Sequence, residues 1–268
     1  MKRAQKQKTQ TGFTLLELMV SVAIFIVISG AIFGLLGSSQ KQFRTESEVL
    51  GAFQEARLGL DQIVRDASDS GYPPVNHFST LPPLSSSYVV SPVAWMPGYL
   101  TPALCTIGTA GGGTCATPND FDVIFEGAVD NTGVKWIRYQ LVGTTLFRGV
   151  VNKSAVLDPV AATNVAGVML PYVTNVMNNP GAALIGQFQA AYPGMFPGGV
   201  AQPIFQYACD IPNVGTVLCQ NAGANNSPAN VRDVEIMLIV MTPERDFQTG
   251  RLRLVQLNGR GHRFNPNQ

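Results

Sequence analysis

Residues 13–37 form an apolar stretch in which Glu17 is the only charged residue. As an α-helix, 25 residues are long enough to cross the hydrocarbon core of a bilayer, which is about 30 Å thick. The apolar region of a secretory signal peptide is shorter, about 7–15 residues, and it ends in a small-residue cleavage site. The stretch therefore predicts a transmembrane helix over residues 13–37 rather than a signal peptide.

Four basic residues precede this stretch: Lys2, Arg3, Lys6 and Lys8. They predict a cytoplasmic N-terminus, with the rest of the chain on the far side of the membrane. The rest of the chain contains 14 basic and 17 acidic residues and therefore has a formal charge of −3. This balance argues against a nucleic-acid-binding surface, and no nucleic-acid partner is predicted.

Residues 38–70 continue the helical pattern with a different chemistry. Six apolar residues recur at helical steps and predict one apolar face: Phe43, Leu50, Phe53, Leu60, Val64 and Ala67. Charges of alternating sign at four-residue intervals predict a solvated face: Arg57, Asp61, Arg65 and Asp69. No proline occurs before Pro73, and Gly71 is expected as the C-cap. We predict one helix from about residue 13 to about residue 70, roughly 85 Å long, with an amphipathic second half.

Residues 8–25, "KTQTGFTLLELMVSVAIF", resemble the cleavage site and helix of type IV pilins and type II secretion pseudopilins. The resemblance implies that residues 1–12 are a leader. A prepilin peptidase would cut between Gly12 and Phe13, and Phe13 would then be N-methylated. It also implies that Glu17 neutralises the N-terminal amine of a neighbouring subunit during assembly. In the alternative interpretation, Glu17 reaches the membrane interface or only favours the positive end of the helix dipole.

A carboxylate placed among apolar helices costs several kcal/mol unless it is neutralised or paired. Pairing of Glu17 with an amine would therefore favour an assembled state. Gly30 and Gly34 form a G-x-x-x-G pair and Gly37 follows, which allows close helix packing. Small residues are also frequent in membrane helices for other reasons, so that explanation stays open.

The composition changes after Gly71. Residues 71–120 are rich in Pro, Gly, Ser and Thr and predict loops, with one periodic element at 87–95. Later segments alternate in the manner of strands: 121–127, 134–142, 145–151, 203–208, 231–241 and 251–257. Gly143 and Thr144 predict a hairpin between the second and third of these. The fold class is therefore α+β, with a long N-terminal helix packed on an antiparallel β-sheet and a β-rich globular domain over residues 71–268.

Three segments of this domain extend the resemblance. "IVRDASDSGYPP" at 63–74, "WIRYQLVGTTLFR" at 136–148 and "IFQY" at 204–207 resemble PilW-like minor pilins, and the middle segment also resembles the J-type pseudopilin of type II secretion. The resemblance implies a pilin-like fold. Because the body is long for a major pilin, it also implies a low-copy subunit at the tip or start of a filament.

The chain has four cysteines, Cys105, Cys115, Cys209 and Cys219, in two pairs of equal C-x9-C spacing. Four cysteines allow three disulfide connectivities. An exported body meets an oxidising periplasm, which favours the local disulfides Cys105–Cys115 and Cys209–Cys219. A zinc site would require closer cysteines or nearby histidines, and the only histidines are His77 and His262.

No motif of an enzyme is present, such as G-x-S-x-G, H-E-x-x-H or G-x-x-x-x-G-K, so we predict neither catalysis nor a cofactor. Five acidic residues are candidates for a cation site in a folded loop, although ordinary solvated carboxylates are the competing interpretation. They are Asp120, Asp122, Glu126, Asp130 and Asp210.

Three hypotheses follow. The chain is a minor pilin that primes or caps a type IV pilus, a J-like pseudopilin of a secretion system, or an anchored binding domain that never polymerises. The expected partners are other minor and major pilins or pseudopilins and the prepilin peptidase. The expected location is the bacterial inner membrane with a periplasmic C-terminal domain, and then the cell-surface pilus after assembly.

Overall fold

The computed structural model describes residues 12–82, 85–96, 98–100, 105–108, 113–130, 132–154, 158–246 and 250–263. Residues 1–11 of the expected leader, with their four basic side chains, lie outside the described residues. The boundaries of the leader and of the membrane half of the helix therefore stay predictions.

Helix α1 spans Leu15–Ser68, 54 residues without interruption, and is about 80 Å long. Thr14 is its N-cap and Glu17 lies in its first turn. The helix ends with Asp69 in the C-cap position, whereas the sequence predicted Gly71 there. Gly71 follows with a φ of 94°, and its N–H donates to the Glu126 carbonyl at 2.8 Å, so this residue turns the chain into the body instead.

Nine strands lie in the described residues. The first sheet contains β1 Val93–Ala94, β2 Asp122–Gly127, β3 Lys135–Val142, β4 Thr145–Asn152 and β5 Leu170–Val173, neighbouring in chain order. The second contains β6 Phe205–Ile211, β7 Gly215–Leu218, β8 Val231–Arg245 and β9 Leu252–His262, in the order β7-β6-β8-β9. All of these pairings are antiparallel. The α+β, pilin-like architecture predicted from the sequence is confirmed.

Two further helices and several turns connect the strands. The helices are α2 Pro159–Thr163 and α3 Ala182–Ala191. Short 3₁₀ turns occur at Val75–His77, Ser85–Ser87, Pro197–Gly199, Cys219–Asn221, Gly223–Asn225 and Pro228–Asn230. The β3–β4 hairpin is confirmed, since Val142 pairs with Thr145 across the two-residue turn. No sequence pattern indicated β5, β7 or either of the two short helices, and none divided the strands into two sheets.

The segment after β5 joins the two sheets. The Val176 N–H donates to the Thr144 carbonyl at 2.8 Å, and Val176 also forms a bridge with Val240 of β8. The Met177 N–H donates to the Ile239 carbonyl at 2.7 Å. These bonds hold the end of the β3–β4 hairpin beside the middle of β8.

The C-terminal part of α1 packs closely on both sheets. Its buried residues are Ala56, Gly59, Leu60, Ile63, Asp66 and Ala67. A Cβ placed on Gly59 would lie 2.5 Å from Cγ2 of Val173, and one placed on Gly259 of β9 would lie 2.7 Å from Cγ2 of Val64. The glycines therefore let the helix and the strands approach each other more closely than larger residues would.

The predicted apolar face of α1 is only partly correct. Leu60 and Ala67 are buried, but Phe43 and Leu50 are 75% and 55% exposed. At about 100° per residue these two lie on the side of the helix opposite the buried face, and no residue from Gly12 to Glu55 is buried. No sheet covers this side of the helix. The predicted solvated face is confirmed, since Arg57, Asp61, Arg65 and Asp69 are all exposed.

Candidate assembly site

The first turns of α1 present an uncovered apolar surface. Every residue from Gly12 to Ile28 is exposed, including Phe13, Leu15, Leu16 and Phe25. Among the described residues, α1 is the one helix long and apolar enough to cross a membrane, and its most apolar window is not buried in the body. A surface of this kind requires lipid or other apolar helices around it.

Thr14 and Glu17 form a reciprocal cap at the start of α1. The Thr14 N–H and hydroxyl each donate to Oε2 of Glu17 at 3.0 Å, and the Glu17 N–H donates to the Thr14 hydroxyl at 3.3 Å. This is a capping box, which satisfies donors that the first helical turn leaves free. The isolated chain therefore gives Glu17 a local role at the helix N-terminus, and its pairing with a neighbouring amine stays a prediction.

The Gly12–Phe13 peptide bond lies just before this cap. Both residues are exposed and neither belongs to the helix. An accessible peptide outside regular structure is the kind of site at which peptidases cut. Cleavage at the predicted position would leave both residues of the capping box, Thr14 and Glu17, in the mature chain.

The small residues of the apolar segment are also uncovered. A Cβ placed on Gly30, Gly34 or Gly37 would meet nothing outside its own helix within 4 Å. Within the described residues, these positions make no contact with the body.

Among the comparisons with known proteins, the one with family models matches this end of the chain. Residues 7–33 fit the family model described as "Prokaryotic N-terminal methylation motif". The match covers 27 residues and supports a type IV pilin-like protein. Proteins with this motif are structural subunits rather than enzymes, and the motif together with the single apolar helix supports membrane anchoring. No curated protein and no solved structure matches the chain.

Three large apolar side chains are exposed on the part of α1 beyond residue 37, on the side of the helix that also carries Arg57 and Asp61. Phe43, Leu50 and Leu58 are 75%, 55% and 70% exposed. At 100° per residue they fall on one side of the helix, opposite the residues that pack on the sheets. We call these three residues the outer stripe.

Buried polar contacts fix the direction of α1 on the pilin-like body. The Tyr139 hydroxyl donates to Oδ2 of Asp66 at 2.5 Å, and Nη2 of Arg148 donates to the same oxygen at 2.9 Å. Nε2 of Gln62 donates to the other carboxylate oxygen at 2.8 Å. The sequence did not indicate a role for Asp66. The only signal was a charged residue among the apolar positions of the buried helix face.

The structure does not bring the acidic cation candidates together. Four of them each face a cation of their own: Asp122 contacts Arg138, Glu126 contacts Lys153, Asp130 contacts Lys135 and Asp210 contacts Arg232. Within the described residues no group of three or more His, Cys, Asp or Glu side chains could hold a metal ion. Asp122, Glu126, Asp130 and Asp210 therefore form ion pairs rather than a metal site.

Cys105 is bonded to Cys115 and Cys209 to Cys219. Each bond closes a loop between residues ten apart, and the second ties β6 to the residue that follows β7. The two histidines lie elsewhere. The His77 ring contacts Tyr72, and Nδ1 of His262 contacts Asp233.

Proposed function

We propose that this chain is a PilW-like minor pilin that primes the assembly of a type IV pilus or sits at its tip. One observation carries the proposal: residues 15–55 of α1, about 60 Å of helix, contain no buried residue. A helix of this length without tertiary support needs lipid and neighbouring helices around it. In this proposal the chain has no enzymatic activity.

The outer stripe favours an assembling subunit over a simple anchor. The predicted membrane segment ends at residue 37, whereas the stripe begins six residues later at Phe43. An anchor needs no exposed apolar side chains outside the bilayer, and we infer that these three side chains meet a neighbouring helix. A helix of a neighbouring subunit would cover the stripe in a filament.

The proposed route follows from the motif. A prepilin peptidase removes residues 1–12, and the chain waits in the inner membrane with its body in the periplasm. The two disulfides suit that oxidising compartment. Contacts with other minor and major pilins then bring the chain into a pilus at the cell surface.

A J-like pseudopilin is the second candidate, favoured by the β3–β4 hairpin that carries the resemblance to that class. Deleting the gene separates the two. Loss of surface pili with normal secretion supports the minor pilin, and loss of protein secretion with normal pili supports the pseudopilin.

The outer stripe provides the direct test. Leu50→Gln should reduce site-specific crosslinking to partner pilins and the number of filaments, at matched amounts of membrane protein. The matched control is Leu170→Gln, because Leu170 is 59% exposed but lies on β5 of the body. Equal crosslinking and piliation in wild type and Leu50→Gln would show that the outer stripe is not part of the assembly surface. That result would favour a non-polymerising anchored domain.

A further inference from the structure

A groove of about 430 Å³ lies between α3 and the β8–β9 hairpin. Its apolar lining includes Leu184, Phe188, Ala191 and Leu252, and Arg245 and Arg251 also line it. The Tyr192 hydroxyl donates to the Leu252 carbonyl at 2.9 Å and ties the end of α3 to the hairpin. The groove thus combines an apolar floor with two guanidinium groups.

Strand β9 runs in the same direction as α1. Gly259 of β9 lies against Leu60 and Val64, and Gly261 lies against Ala67, further along both elements. The start of β9 therefore points back toward the N-terminal, membrane-anchored end of the helix. Thr174 gives a second indication of this direction. Its hydroxyl lies 3.4 Å from Oε1 of Glu55, and two residues later Val176 forms a bridge with β8.

This direction places the groove on the bilayer side of the body. Leu252 precedes Gly259 by seven residues, or about 23 Å of strand, which corresponds to about 15 residues of helix. For a strand that runs parallel to the helix axis, the groove lies near the level of residue 47, about 15 Å along the helix from the predicted membrane boundary at residue 37. Long arginine side chains shorten the distance to the headgroups.

The charges around the groove suit an anion. Arg245 and Arg251 are exposed, and Nη1 of Arg245 donates to the Gly250 carbonyl at 3.1 Å. The nearly buried Asp246 carboxylate forms an ion pair with Arg253. Residues 244–253 contain three arginines and two acidic residues, Glu244 and Asp246, which gives a formal charge of +1.

We propose that this groove binds the headgroup of an anionic phospholipid in the membrane that anchors α1. Arg245 and Arg251 contact the phosphate, since guanidinium groups match the geometry of phosphate oxygens. Headgroup binding holds the body against the bilayer before assembly. The inference rests on the membrane anchoring in the proposed function.

The test uses the full chain in two kinds of nanodisc, one of phosphatidylcholine alone and one that also contains phosphatidylglycerol. Amide hydrogen exchange at residues 184–192 and 250–254 should be several-fold slower in the anionic discs, and high salt should remove the difference. Arg245→Gln/Arg251→Gln should abolish the difference. Arg260→Gln, at the other end of β9, should keep it.

The outcomes separate the possible sources of an anion. Equal exchange in both discs overturns the proposal. Slower exchange on adding inorganic phosphate to phosphatidylcholine discs assigns the groove to a soluble anion instead, and slower exchange only with a partner pilin assigns it to a protein. Failure of the chain to enter discs contradicts the anchoring itself, which is a different result. Tryptophan fluorescence checks that each variant is folded.

Discussion

Nζ of Lys153 lies 2.8 Å from Oε1 of Glu126, and neither side chain has any exposed surface. The Glu126 carboxylate also accepts hydrogen bonds from the Val90 N–H and from Nε1 of Trp136, both at 2.9 Å, and from the Tyr99 hydroxyl. The pair therefore joins the loop before β1 to strands β2 and β3 through one fully bonded carboxylate.

Lys153→Met should destabilise the body strongly, because it leaves the Glu126 charge buried without its cation. Removing one partner of a buried pair typically costs about 3–5 kcal/mol of the free energy of unfolding. Denaturant unfolding of the full chain in detergent, followed by tryptophan fluorescence, measures the change.

The double variant Lys153→Met/Glu126→Gln should recover much of this loss, since no buried charge remains. Lys135→Met is the control, because its partner Asp130 is on the surface and its loss should matter much less. If Lys153→Met costs no more than Lys135→Met, the buried pair does not stabilise the fold.

Stability should fall in alkaline solution. Burial raises the pKa of Tyr99 and of Tyr139, and the nearby charges of Glu126 and Asp66 raise them further. A phenol with a raised folded-state pKa stabilises the fold below about pH 10, the pKa of an unfolded tyrosine, and that contribution is lost as the pH rises further. The free energy of unfolding should therefore decrease as the pH rises above about 10. The decrease should be shallower in Tyr139→Phe, and parallel pH profiles would contradict this explanation.

Glu17→Ala should still insert into the membrane but fail to enter filaments, because a partner amine would lack its counter-charge. The capping box adds a second explanation for such a defect, and Thr14→Val separates the two. It removes the capping hydroxyl and keeps the carboxylate, so it should assemble far better than Glu17→Ala. Glu17→Gln should be intermediate, because glutamine keeps an acceptor without the charge.

Crosslinking to partner pilins and filament counts at matched protein levels measure all three variants. Equal defects in Thr14→Val and Glu17→Ala would assign the role to the cap. Wild-type assembly of Glu17→Ala would favour the simple membrane anchor.

Processing should occur between Gly12 and Phe13. Mass spectrometry of membrane-extracted protein should find methylated Phe13 at the N-terminus, and a bulky residue at position 12 should leave the leader attached. Met1 at the N-terminus of mature protein, in cells with an active peptidase, would rule this processing out.

Non-reducing peptide mapping of exported protein should recover Cys105 linked to Cys115 and Cys209 linked to Cys219. Loss of the second bond in Cys209→Ser/Cys219→Ser should lower the free energy of unfolding by about 2–3 kcal/mol through greater freedom of the unfolded chain. Four free thiols after normal export would show that the equally spaced cysteines do not form disulfides.

Local patterns in the sequence were sufficient for several features. The apolar run over residues 13–37, the absence of proline before Pro73 and the helical spacing of charges determine one long helix, because each depends on residues a few positions apart. The β3–β4 hairpin follows from Gly143 and Thr144 between two alternating segments for the same reason. The N-terminal methylation motif is likewise a contiguous stretch, and the family match covers that stretch.

Tertiary structure decided which residues these elements bring together. Periodicity grouped Phe43 and Leu50 with Leu60, but only the position of the sheets shows that the helix turns the first two away from the body. The division of the strands into two sheets and the pairing of Lys153 with Glu126, 27 residues apart, depend on contacts between segments distant in the chain. No local spacing encodes such contacts, because loop paths and the close approach allowed at Gly59 and Gly259 determine them.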